Sequence, residues 1–167
     1  GRAQYLGFLD ERQQALAGMQ LAHAPRLQHL FFGGYPEAER KVLAVCQGEQ
    51  PEHGEFPLCC LRLTCRGAAL SHRDYLGALL GLGIERSCLG DILPDAEGAF
   101  VFVLKAQAQL LVRELREIGR ERAAAALCDP PQSFAAGGGE EQRASVASLR
   151  LDAVLAALLH CSREDAA

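Results

Sequence analysis

The sharpest hydrophobic pattern in the chain runs from Leu58 to Arg66. Cys59, Leu61, Leu63 and Cys65 fall on one side of an extended backbone, and Cys60, Arg62, Thr64 and Arg66 on the other. This predicts a strand with one core face and one basic face. The period then changes. In SHRDYLGALLGLGI, Ser71 to Ile84, the residues Leu76, Leu79 and Leu80 recur at helical spacing. Ser71 can accept from the free N–H of Asp74, whose carboxylate can reach back, making a capping box, and Gly83 stands where a left-handed residue would end the helix. Gly77 and Gly81 share a second face, and each costs the helix about 1 kcal/mol relative to Ala. That cost predicts a close approach to the bare backbone, by a neighbouring element or by a sugar-phosphate chain.

The flanking patterns are shorter. Asp10 caps a helix from Glu11 to about Ala22, with Gln13 reciprocating and Ala15, Leu16 and Met19 as its apolar stripe. Leu27–Phe32 and Lys41–Cys46 are strands joined through GGYPEAER. The polar stretch Gln47–Glu55 is a loop and a domain boundary. After the central helix, LGDILPD and GAFVFVL form two strands around an Asp-Ala-Glu-Gly turn. A helix follows from about Ala106 to Ile118, stopped by Gly119, and RAAAALC is a last strand ending at Cys128. Pro130 to Gln142 holds Gly137–Gly139 without apolar periodicity and is a linker. A helix from about Leu151 to Leu159 and a second opening at Ser162 complete the pattern.

The predicted class is α+β. An N-terminal α/β unit (1–54) precedes a β-α-β-β-α-β domain (55–129) in the order of ferredoxin-like folds and RNA-recognition motifs. A linker (130–143) and a partial unit (144–167) follow. Phe100 and Phe102 stand two apart on the strand that carries stacking aromatics in an RNA-recognition motif. The motif's flanking basic residue, glycine and terminal aromatic are replaced by Gly98, Ala99 and Lys105, which favours both rings as core.

Composition narrows the function. A net charge of −4 excludes coating of nucleic acid by bulk positive charge and leaves room for a local basic patch. No run of eighteen apolar residues occurs and the start lacks a signal peptide's regions, so a cytoplasmic protein without a membrane partner is expected. Seven cysteines, an odd number without a C-x-x-C pair, suit neither a disulfide framework nor a zinc ribbon. Joining Cys59, Cys60 and Cys65 with His53 around a metal is opposed by the alternation of strand side chains. No cofactor and no small-molecule substrate is expected. Ser71, His72 and Asp74 superficially suggest a hydrolase, but consecutive helical residues point about 100° apart and cannot converge as a triad.

Cations remain. Arg62, Arg66, His72 and Arg73 cluster around the strand-helix junction in the sequence, and His72 and Arg73 occupy a helix's first turn, where the dipole favours anions. Arg40 and Lys41 emerge side by side where a turn meets a strand, as candidate phosphate contacts.

These segments resemble the YlmH family of bacterial RNA-binding proteins with a C-terminal S4 domain. The resemblance rests on FLDER, FFGGYPEAERK, SHRDYLGALLGLGI, GDIL, IGR, SLRLDAVLA and SRE, in order and spacing over nearly the whole chain. It implies a non-enzymatic protein that binds ribosomal RNA or tRNA and the large ribosomal subunit in ribosome-associated quality control. Family members have also been called cell-division proteins. It further implies that Arg150, Ser162 and Arg163 belong to the first half of an S4 RNA-binding surface. Asp152 matches that half too, but the G-x-V-x-V-N-G segment that closes the surface does not follow, so the S4 unit is expected to be truncated. A protein-interaction scaffold linked to cell division and an RNA-modifying enzyme are the alternatives.

Overall fold

The computed structural model of the chain describes residues 2–66, 69–131 and 155. Among residues 2–131, eight strands in two antiparallel sheets and three α-helices make a mixed α+β architecture. The smaller sheet contains β1 (Gln4–Leu9), β2 (Gln28–Phe32) and β3 (Lys41–Cys46) in the order β1-β3-β2. The larger contains β4 (Leu58–Cys65), β5 (Leu89–Pro94), β6 (Gly98–Leu104), β7 (Glu117–Ile118) and β8 (Glu121–Cys128) in the order β5-β6-β4-β8-β7. Helices α1 (Glu11–Leu21), α2 (His72–Gly81) and α3 (Lys105–Glu114) cover the outer faces.

Alternation decides the layering. On β4, Leu61 and Leu63 pack with Tyr75, Leu76 and Leu79 of α2 and Leu111 of α3. On β3, Leu43 and Val45 pack with Ala17 and Leu21 of α1 and with Leu155. The remaining faces meet each other: Val42 and Ala44 of the small sheet share a core with Cys60, Leu93 and Phe102 of the large one. Gly34, at φ 102°, lies directly against the Phe102 ring, leaving no room for a side chain.

Both predicted capping boxes form. Gln13 N–H donates to Asp10 Oδ1 at 2.8 Å while Gln13 Oε1 accepts from Asp10 N–H at 2.9 Å. Asp74 Oδ2 accepts from Ser71 N–H at 2.8 Å, with Ser71 Oγ accepting from Asp74 N–H at 3.3 Å.

Several expectations are corrected. The buried positions of α1 are Gln13, Ala17 and Leu21, and Met19 is 67% exposed, because the helix lies on the sheet through the side opposite to the Ala15–Met19 stripe. β1 was hidden by an irregularity at Gly7, where the register slips between Leu6 and Phe8 and a Cβ would stand 2.5 Å from Ser87 O. Helix α3 ends at Glu114. Leu115 is already extended, and Ile118 reaches the same core from β7, so a spacing of three was shared by a helix end and a strand. Among the described residues nothing lies within 4 Å of a Cβ built at Gly77 or Gly81, and none of their elements makes the predicted close approach. Among the described residues no helix is long and apolar enough to cross a membrane.

Candidate nucleic-acid interface

The small sheet covers only part of the large one. Cys60 and Phe102 are Cα partners and are fully buried, whereas Arg62 and Phe100, the next pair on that face, are half-exposed. Beyond them the same face continues through Thr64 with Ala124, both exposed, and Ala126 opposite Arg62. The register carried one step past Cys65 and Ala123 sets Arg66 beside Arg122, and both are exposed. The result is an open, small-residue floor with one aromatic ring and an arginine rim. Arg120, also exposed, tops the β7–β8 hairpin.

Arg62 is committed locally. Its guanidinium forms a forked pair with Asp95 (2.6 and 2.8 Å) and lies 4.5 Å from the centre of the Phe100 ring. Hydrogen bonding by Arg62 holds the Asp95 carboxyl below its ordinary range. Arg66, Arg120 and Arg122 make no ion pair among the described residues, although Glu117 stands opposite Arg122 in the β7–β8 register. Phe102 is core, stacked on Tyr35 with centroids 5.0 Å apart; Phe100 alone of the two reaches the open face.

The predicted cationic cluster is divided by the sheet. Arg62 and Arg66 belong to the open face, whereas α2 packs on the other, so His72 and Arg73 do not join them. Arg73 is exposed at the start of α2. His72 is half-buried, and burial followed by the charge of Arg86 lowers its pKa, which disfavours the imidazolium form. Arg40 is corrected from phosphate contact to structural cation. Its Nε donates to Leu89 O at 2.9 Å, and its Nη2 to Arg86 O at 3.1 Å and Phe8 O at 3.2 Å. Lys41 is half-buried at the start of β3, opposite Leu9. Arg150, Ser162 and Arg163, with the linker beyond Pro131 and all of the S4-like segment except the helical, buried Leu155, lie outside the described residues.

Sequence reasoning missed a polar node between the sheets. Asp91, 7% exposed, accepts from Tyr35 Oη at 2.6 Å, Glu39 N–H at 2.8 Å and Arg40 N–H at 2.9 Å. Arg86 Nη1 donates to Leu89 O at 3.1 Å, the oxygen that also accepts from Arg40, and burial with the Arg40 charge pushes its pKa down to about 10. The available signal was that GGYPEAER and GDIL each carry an acid or base at an otherwise apolar boundary. Arg122 was missed because RAAAALC, being mostly alanine, hides its alternation.

An antiparallel sheet with an arginine-rimmed open floor defines the class as an α+β domain with one uncovered sheet face. Residues 51–127 match the family model described as "Putative RNA-binding domain in YlmH". The match covers the larger-sheet domain, and that part of the chain is similar to the central domain of YlmH proteins. The chain is 30% identical over 167 residues to ribosome-associated protein quality control protein P2 of Bacillus subtilis, covering 98% of this chain and 65% of that protein's length. The fold is similar to that of cell division protein ylmH from Streptococcus pneumoniae, with a TM-score of 0.68, 22% identity, and coverage of 75% of this chain and 78% of that one.

Proposed function

We propose that this is a non-catalytic RNA-binding protein that takes single-stranded RNA on the uncovered half of its larger sheet. The antiparallel order β8-β4-β6-β5 supports reading residues 55–129 as a ferredoxin-like, RNA-recognition-type domain, with 1–54 as the unit that caps part of its platform. The name of the Bacillus relative, a ribosome-associated quality control protein, supports the ribosome as the setting, and ribosomal RNA or tRNA on the large subunit is the target we propose there.

One observation carries the reading: Arg66 and Arg122 are both exposed, each one residue beyond the paired Cys65 and Ala123, without ion pairs among the described residues, at the end of the sheet face that also presents Phe100. A chain of net charge −4 thereby keeps a local cationic edge where a phosphate backbone could lie. The test is a titration of fluorescent single-stranded ribosomal RNA fragments across a salt series, comparing the unaltered chain with the Arg66→Ala/Arg122→Ala variant. The variant should bind at least about tenfold more weakly, with a log–log salt slope shallower by about 1.4, for two phosphate contacts on a single strand. Identical affinity and slope would refute the site.

A further inference from the structure

We infer that the cleft at the covered edge of this platform receives one unpaired base of the bound RNA, an inference that rests on the RNA-binding reading above. The cleft holds about 310 Å³ and is lined by Phe32, His53, Phe56, Cys60, Phe102 and Cys128 among others. Among the described residues no Asp, Glu, Lys or Arg lines it. These aromatic and apolar walls suit a flat, uncharged occupant, and the surface leading to them is rimmed by arginines, which suits a neutral ring delivered on an anionic backbone.

Continuity of the sheet face links the two. Cys60 and Cys128 are Cα partners, and the pairs Arg62–Ala126 and Thr64–Ala124 follow on the same face before Arg66 and Arg122. From Cys60 to Arg66 the strand rises about 20 Å, enough for the two or three bases that a four-stranded RNA-recognition sheet stacks. The wall is preformed. The His53 ring lies parallel to Phe32 at 4.1 Å and 5°, and Phe56 meets Phe32 edge-on at 5.4 Å. His53 is exposed, so its outer ring face is available to a base while Phe32 fixes its tilt.

The test uses the full chain and fluorescent single-stranded ribosomal RNA fragments, with His53→Ala, His53→Phe and alkylation of Cys128 by N-ethylmaleimide followed by mass spectrometry. His53→Ala should weaken binding by about tenfold at unchanged salt slope, since a base-aromatic stack is worth about 1–3 kcal/mol. His53→Phe should restore it, and saturating RNA should slow Cys128 alkylation. Wild-type affinity in His53→Ala, or an unaltered Cys128 alkylation rate under saturating RNA, overturns the cleft. If the Arg66→Ala/Arg122→Ala variant still loses affinity in that case, RNA binding stands without the cleft. Absence of any RNA binding by the unaltered chain refutes both.

Discussion

Tyr35 Oη donates a 2.6 Å hydrogen bond to Asp91 Oδ2 across 56 positions of chain, and both residues are buried between the two sheets. The same carboxylate takes the backbone N–H groups of Glu39 and Arg40, so one side chain of the large sheet holds the turn that leads into the small sheet. Together with the shared apolar core, this junction ties the small sheet to the covered half of the platform.

Replacing Asp91 by Ala strands three donors in a site with little access to water. A loss of about 3 kcal/mol or more is expected, against about 1 kcal/mol for Tyr35→Phe, which removes one donor and leaves the carboxylate two others. Urea unfolding of the two variants measures both, and a Tyr35→Phe cost equal to that of Asp91→Ala would contradict this apportioning.

Burial, then the hydrogen bond to Asp91, push the Tyr35 phenol far above its ordinary value. A raised folded-state pKa gives stability that is complete below the unfolded value near 10 and is lost as pH rises beyond it. Unfolding free energy should therefore fall above about pH 10, and Tyr35→Phe should fall less steeply there. Parallel alkaline limbs for the two proteins would show that other groups set the slope.

Gly77 and Gly81 face open space on a helix, so each change to Ala should add about 0.5–1 kcal/mol of stability. Thermal melts of the single and double variants test additivity. If the double variant is stabilised but binds RNA less well, nucleic acid approaches this bare backbone; unchanged binding leaves the glycines as an exposed cost.

Arg62 and Asp95 have side chains 18% and 32% exposed. Truncating Arg62 to Ala should cost only about 1 kcal/mol, combining a partly exposed ion pair with a cation–π contact. Because Arg62 depresses the Asp95 pKa, this contribution is present above the ordinary Asp value near 4 and disappears as pH falls through the lowered one. Urea midpoints from pH 6 to pH 2 should show the wild type and Arg62→Ala converging at the acid end, and a constant gap would assign the effect to packing on Phe100.

Local rules were legible in the residues themselves. Asp10 with Gln13 and Ser71 with Asp74 made their caps without help from elsewhere, and Lys41–Cys46 is a strand at the bounds its apolar run predicts. The two faces of β4 were equally plain, because successive strand side chains must point in opposite directions. What covers each face was not. Alternation showed that Cys60, Arg62, Thr64 and Arg66 share a side, but only the packing of β3 against it made Cys60 core and left Arg66 in water. The same placement turned Arg40 inward to three carbonyl oxygens and set α2 on the opposite face from Arg62. Sequence determines local geometry through short-range sterics and hydrogen bonds, whereas a cation's role depends on which distant backbone closes over it, and that is settled when the sheets meet.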